Sequence, residues 1–123
     1  MIGYVTLGTN NFEAAAKFYD ELLATLDCKR GMDAETFIAW TNGKHGQPML
    51  SIIKPQNKEA ATCGNGTMVA LAVDSKEKVD AVYAKAIELG AADEGPAGPR
   101  GDTFYAGYFR DLDGNKLNVF YMG

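Results

Sequence analysis

Few side chains in this 123-residue chain have the type and spacing that acid–base or metal chemistry needs. The single histidine, His45, follows Lys44, and the two are interpreted either as a general base pair or as part of an exposed loop. Asp111 and Asp113 are spaced like calcium ligands, but a strand pattern follows them where a calcium-binding loop would continue into a helix. We therefore interpret them as turn residues, and no catalytic residue is identified.

Composition restricts the classes of partner. Apolar residues make up 46% and charged residues 23%, which is typical of a globular domain. The net charge of −4, with scattered lysines, argues against a nucleic-acid partner. The longest apolar run, Met68–Val73, is far shorter than the roughly 20 residues of a membrane span. The opening Met1–Tyr4 lacks the features of a signal peptide, and Cys28 and Cys63 are too few for a disulfide framework, so we expect a cytoplasmic protein.

Strand and helix periods alternate along the chain in the order strand, helix and three strands, and then in the same order again. The predicted helices are Asn10–Leu26 and Asp74–Leu89. The predicted strands are Ile2–Gly8, Cys28–Met32, Glu35–Thr41, Met49–Lys54, Thr67–Val73, Thr103–Arg110 and Lys116–Met122, with a short strand at most within Ala91–Gly101.

The second half repeats the first at a fixed offset of 69 − 5 = 64 positions. Val69 then falls on Val5, Leu71 on Leu7 and Tyr83 on Tyr19. In both copies the spacing also predicts a capping box at the helix start, namely Asn10 with Glu13 and Asp74 with Glu77.

The repeat predicts an α+β fold of two tandem βαβββ modules, about 1–60 and 64–123, within one domain spanning 1–123. We expect a curved mixed sheet around a cleft, with the helices on its outer side. Alternation along the first strand of each module divides the side chains between the two faces. Those facing the helices are Val5, Leu7, Val69 and Leu71; those lining the cleft are Tyr4, Thr6, Met68 and Ala70. Unpaired sheet edges and apolar surface favour a homodimer.

Three segments, Ile2–Asn10, Gly66–Ala70 and Phe109–Leu117, resemble the glyoxalase / bleomycin-resistance / extradiol dioxygenase superfamily, also called vicinal oxygen chelate. The resemblance covers essentially the whole chain. It implies paired βαβββ modules, a homodimer and a cleft for a small molecule. Many members hold a divalent metal in that cleft.

The resemblance places the four metal ligands on Tyr4, Leu50 (Ser51 if the register slips by one), Met68 and Asn118. None of these is the imidazole or carboxylate that Zn²⁺, Fe²⁺, Ni²⁺ or Mn²⁺ prefers. We therefore expect no metal and no other cofactor, and neither a glyoxalase I reaction nor ring-cleaving dioxygenation, both of which need the metal.

The predicted function is metal-free binding of a small molecule, as in bleomycin-resistance proteins. One alternative is a lyase, isomerase or dioxygenase-type enzyme of the superfamily that uses Tyr4, Asn118, His45 or non-standard metal ligands. A second is an interaction module whose cleft is filled by Tyr4, Met68 and Phe120. The candidate ligand-binding residues are Tyr4, Thr6, Trp40, Met68, Arg100, Tyr105, Asn118 and Phe120.

Several candidates keep a second interpretation. Tyr4 either donates a hydrogen bond to a ligand or fills the former metal position. Trp40 either stacks on a ligand or belongs to the core or a dimer contact. Asn118 either orients a ligand or bonds Tyr4 or Thr6. Arg100 and Tyr105 suit an anionic or aromatic ligand, but they suit a solvated loop equally.

Overall fold

The computed structural model describes all residues, 1–123, in two compact units, Met1–Thr62 and Cys63–Gly123, here called module one and module two. Each has the order strand, helix and three strands, which confirms the α+β class and the repeat. Module one contains β1 (Tyr4–Gly8), α1 (Phe12–Ala24), β2 (Lys29–Asp33), β3 (Phe37–Thr41) and β4 (Met49–Ile53). Module two contains β5 (Val69–Ala72), α2 (Lys76–Glu88), β6 (Ala92–Pro99), β7 (Phe104–Arg110) and β8 (Lys116–Met122).

Module one is a four-stranded mixed sheet in the order β1-β4-β3-β2, with α1 against one face. β1 runs parallel to β4, and the other pairs are antiparallel. The apolar stripe of α1 is buried, and so are the sheet residues of the same core. The helix contributes Ala15, Phe18, Tyr19, Leu22 and Leu23, and the strands contribute Leu7, Ile38, Trp40, Leu50 and Ile52.

Module two repeats this arrangement in the order β5-β8-β7-β6, with α2 packed mainly against β7. Val79 and Val82 of the helix and Leu117 of β8 are fully buried. Gly107 lets the helix approach closely, because a Cβ at that position would lie 2.9 Å from the ring of Tyr83. Neither helix, at 13 residues each, is long and apolar enough to cross a membrane.

Both helices begin one residue later than the predicted capping boxes, which were wrong about the caps. The N-cap residues are Asn11 and Ser75, whose side chains accept hydrogen bonds from the backbone N–H groups of Ala14 and Lys78. Asn10 is used differently: its amide bonds the backbone N–H and carbonyl of Ala61 and fixes the end of module one.

The second strand of module two, β6, is longer than the sequence indicated. Ala92–Pro99 forms an eight-residue edge strand despite two glycines and two prolines. Its pairing with β7 shifts register on both sides of Gly95, which takes φ +152°. An edge position and a bulged ladder tolerate proline and glycine, which is why their presence did not exclude a strand.

Candidate functional site

The face of the module-one sheet opposite α1 holds a cavity of about 440 Å³. Alternation directs the side chains of Tyr4 and Thr6 of β1, Ser51 of β4 and Ala39 of β3 to this face. Ala39 and Ser51 are buried at its floor, whereas Tyr4 is 64% exposed. The full lining is Tyr4, Thr6, Met32, Thr36, Phe37, Ala39, Met49, Ser51, Ile53 and Gln56. Tyr4 and Thr6 therefore lie together in one cavity, on the face that the sequence assigned to them.

A short chain of hydrogen bonds forms the polar part of the floor. Ser51 Oγ donates to the backbone carbonyl of Val5 at 2.9 Å. Thr6 Oγ1 lies 2.9 Å from Ser51 Oγ. The two hydroxyls are cross-strand neighbours in the parallel register, so the sheet itself sets their spacing.

The strand register corrects one predicted position. Leu50 pairs with Val5 and is buried on the helix side, whereas Ser51 pairs with Thr6 on the cavity side. Leu50 therefore does not face the cavity, and the alternative register with Ser51 is the one that the fold adopts. The pairing of β1 with β4 fixes this register, which residue spacing along the sequence left open.

In module two the position equivalent to Ser51 holds Asn118, whose side-chain oxygen is not hydrogen-bonded. Asn118 pairs with Ala70, as Ser51 pairs with Thr6. The side chain of Asn118 is 1% exposed, and its Oδ1 has no hydrogen-bond partner. The methyl group of Ala70 offers no donor where module one has the Thr6 hydroxyl. Tyr108 is the cross-strand neighbour of Asn118 on the other side.

The other candidates in module two do not form one cluster. Met68 is 41% exposed just before β5, and Phe120 stacks on Phe104 with ring centroids 5.5 Å apart. Arg100 donates to the backbone carbonyls of Pro96, Gly98 and Pro99. The guanidinium carbon of Arg100 lies 5.5 Å from the centroid of the Tyr108 ring.

Tyr105 points to the helix side of the module-two sheet. Its hydroxyl donates to Asp80 of α2 at 2.8 Å, and this hydrogen bond to a carboxylate raises the pKa of the phenol. Its neighbour in sequence, Ala106, faces the opposite side with Phe120, its cross-strand partner.

Trp40 lies in the core of module one and does not line the cavity. Its ring packs against Tyr19 at 5.7 Å between centroids, and its indole N–H donates to Asp20 at 3.0 Å. Arg30 holds the same carboxylate with two hydrogen bonds, and mainly for that reason the pKa of Asp20 is lowered. The alternation of β3 explains the placement: Ala39 faces the cavity, so Trp40 must face α1.

The four positions that the resemblance assigns to metal ligands do not suit a metal. With the register corrected they hold a phenol, a hydroxyl, a thioether and an amide, at Tyr4, Ser51, Met68 and Asn118. No three side chains of His, Cys, Asp or Glu come together in a group that could hold a metal ion. These donors do not fit the divalent metal that many members of the superfamily hold.

His45 is exposed in the loop before β4 and is not among the residues of the cavity. The lining also contains residues that the sequence analysis missed, among them Thr36, Phe37, Met49 and Gln56. Phe37 could have been found from the alternation of β3, but Gln56 lies beyond β4, where no periodicity applies.

Comparisons with known proteins agree with this architecture. Residues 1–119 match the family model described as Glyoxalase/Bleomycin resistance protein/Dioxygenase superfamily. A glyoxalase/bleomycin resistance protein from Albidiferax ferrireducens T118 is 32% identical with a TM-score of 0.90, over 100% of this chain and 99% of that one. No protein with a curated description matches the sequence.

More distant structures share the fold alone. A hypothetical protein from S. aureus is 24% identical with a TM-score of 0.73, over 98% of this chain and 92% of that one. A lactoylglutathione lyase from Agrobacterium tumefaciens is 21% identical with a TM-score of 0.69, over the same two shares. With nearly the whole chain matched by the family model, the chain belongs to the glyoxalase/bleomycin resistance protein/dioxygenase superfamily.

Proposed function

We propose that this protein binds a small molecule in the module-one cavity without a metal ion. The observation that carries the proposal is the cavity itself, about 440 Å³ in volume, with apolar walls and a small polar floor. Cavities of this size and lining are typical of sites for small organic molecules. The 32% identical relative is described as a glyoxalase/bleomycin resistance protein, which is consistent with binding.

Binding is favoured over catalysis by what lines the cavity. Its polar groups are the hydroxyls of Tyr4, Thr6, Thr36 and Ser51 and the amide of Gln56. No carboxylate, imidazole, thiol or amine is among the lining residues. These are the groups that most often transfer protons near neutral pH, so the lining supports recognition better than acid–base chemistry.

The proposal is tested with p-cresol as a probe, titrated into EDTA-treated protein and followed by calorimetry. We expect saturable binding that is unchanged by EDTA or by added Zn²⁺, Ni²⁺ or Mn²⁺. Binding that requires one of these ions would overturn the proposal, and so would a failure to bind both p-cresol and its neutral and charged ring analogues described below.

A second experiment locates the site by filling it. In module two the residue equivalent to Ala39 is Tyr108. Ala39 pairs with Ser51 of β4, and Tyr108 pairs with Asn118, the equivalent residue of β8. Ala39→Tyr should fill the floor and weaken p-cresol binding more than tenfold, with circular dichroism confirming the fold. The matched exposed change Ala60→Tyr should leave binding unchanged. If Ala39→Tyr folds and binds normally, the cavity is not the site.

The homodimer stays a prediction. Exposed Met32 and Met122, together with the two edge strands of each sheet, support it. Light scattering after size exclusion should give twice the mass of the chain, and a monomer at all concentrations would contradict it.

A further inference from the structure

The hydrogen-bond polarity of the cavity floor restricts the ligand. Ser51 has one hydroxyl hydrogen, and it is given to the backbone carbonyl of Val5, which can only accept. The hydrogen between Thr6 and Ser51 must therefore come from Thr6. The Thr6 hydroxyl then has no hydrogen left for a ligand and presents only acceptor lone pairs to the cavity.

The charge of the lining gives a second restriction. None of the ten lining residues carries a formal charge. A carboxylate or ammonium group entering the cavity would lose water and gain no ionic partner, which disfavours it strongly. A neutral polar group loses much less hydration free energy on entering the cavity. A neutral group with an O–H or N–H can also donate a hydrogen bond to the free lone pairs of Thr6.

The walls give a third restriction. Met32, Phe37, Met49 and Ile53, with the ring of Tyr4, make up most of the lining. Thioether and aromatic side chains contact flat or irregular apolar bodies favourably. Thr36 and Gln56 can both donate and accept, so they add no restriction on polarity.

Building on the proposed function, we infer that the ligand class is a neutral, largely apolar molecule that donates a hydroxyl or N–H hydrogen bond to Thr6. A phenol, an alcohol or an N–H heterocycle satisfies all three restrictions. An ether or ketone lacks the donor, and an acid or amine carries the wrong charge.

The test uses four probes built on one ring: p-cresol, 4-methylanisole, p-toluate and 4-methylbenzylammonium. At pH 7 the phenol is neutral, because phenols titrate near a pKa of about 10. We expect p-cresol to bind roughly fivefold more tightly than 4-methylanisole, the effect of one neutral hydrogen bond. Both charged probes should bind more weakly than either neutral one.

Two variants test the role of the Thr6 lone pairs. Thr6→Val should weaken p-cresol roughly fivefold and leave 4-methylanisole unchanged, since only the phenol uses the hydrogen bond. Ser51→Ala frees the Thr6 hydrogen, so it should retain p-cresol and strengthen 4-methylanisole. Thr103→Val, an exposed change in module two, should leave both affinities unchanged.

The outcomes separate the two proposals. If p-cresol and 4-methylanisole bind equally well and Thr6→Val changes neither affinity, the ligand class is wrong but the proposed function stands. Tightest binding of p-toluate or 4-methylbenzylammonium would have the same meaning. If no probe binds, the proposed function fails, and this inference fails with it.

Discussion

Thr6 and Ser51 in module one occupy the positions that Ala70 and Asn118 occupy in module two. In the first pair every hydroxyl hydrogen has an acceptor, whereas in the second the buried Asn118 Oδ1 has no donor. The third strands, β3 and β7, also differ, because module one has Ala39 where module two has Tyr108. Ala39 lines the module-one cavity, whereas the ring of Tyr108 lies near the charged groups of Arg100 and Lys116, at 5.5 and 5.6 Å from its centroid.

The helix sides of the modules are alike at some positions and different at others. Val5 and Val69 are equivalent on the first strands, and Trp40 and Phe109 are equivalent large aromatic residues of the two cores. Ile38 of module one, however, is equivalent to Gly107 of module two, where the ring of Tyr83 packs against the glycine. Both modules keep a helix packed on a sheet, and the open faces determine what each module can bind.

The largest effect is expected from a charge at Asn118. Asn118→Asp places a carboxylate where the amide oxygen already lacks a donor, and we expect a loss of about 3 kcal/mol or more in the free energy of unfolding at pH 7. Burial raises the pKa of the new carboxyl above its unfolded value of about 3.9. Stability therefore falls as the pH rises through that unfolded value, and the deficit should shrink at pH 4 and below.

Urea denaturation at pH 7 and pH 3.5 measures this deficit. Asn57→Asp is the matched control, because Asn57 is exposed and its side chain already accepts a hydrogen bond from Glu59 N–H. Equal stability of Asn118→Asp and its parent at pH 7 would mean that Asn118 has access to water or a cation.

The second largest effect compares Asn118 of module two with the equivalent Ser51 of module one. We expect their substitutions to change the free energy of unfolding in opposite directions. Asn118→Leu removes an unsatisfied buried acceptor and should stabilise the protein by about 1 kcal/mol. Ser51→Ala removes two satisfied hydrogen bonds and should destabilise it by about 1 kcal/mol. Thermal and urea unfolding of both variants provide the measurement. If Asn118→Leu destabilises the protein as much as Ser51→Ala does, the Asn118 amide is hydrogen-bonded as fully as the Ser51 hydroxyl.

The smallest effect concerns ion pairs on the helix side. The Arg30 guanidinium holds the pKa of Asp20 below its usual value, so this pair adds stability above the unfolded pKa of Asp20 and loses it as the pH falls through the lower folded value. Asp20→Asn should lower the melting temperature at pH 7, and the difference from the parent protein should shrink as the pH is lowered below the unfolded pKa of Asp20. The fluorescence of Trp40, the only tryptophan, reports on the same carboxylate.

The ion pair of Glu94 with Arg110 in module two serves as the comparison. The two ion pairs are about equally exposed, but Asp20 also accepts a hydrogen bond from the buried indole of Trp40. Glu94→Gln removes only a half-exposed ion pair, which contributes little, so it should change the melting temperature less than Asp20→Asn does. The reverse order would show that the Trp40 hydrogen bond adds no stability.

Much of the fold could be predicted because it depends on local periodicity. The 64-residue repeat of strand and helix patterns identified both modules, and alternation placed Tyr4 and Thr6 on the open face. The helix caps were misplaced by one residue, because Asn10, Asn11, Asp74 and Ser75 are all acceptable caps and only backbone geometry distinguishes them.

The site was harder to predict because it depends on strand register and on contacts between residues that are far apart in the sequence. Whether Leu50 or Ser51 faces the cavity follows from the pairing of β1 with β4, which spans 45 residues of sequence. Trp40 was a reasonable candidate for stacking by its type alone, but its neighbours Tyr19 and Asp20 come from α1. Residue type indicated which side chains could contact a ligand, but only the strand pairing showed which of them lie on the open face of the sheet.

We propose that module one binds a small neutral molecule through its own floor, without a metal. Nuclear magnetic resonance of ¹⁵N-labelled, EDTA-treated protein during a p-cresol titration tests this most directly. We expect saturable shifts of the backbone amides of Thr6, Ala39 and Ser51, larger than any shift at Ala70 or Tyr108. Shifts confined to module two, or shifts that appear only after a divalent metal is added, would contradict it.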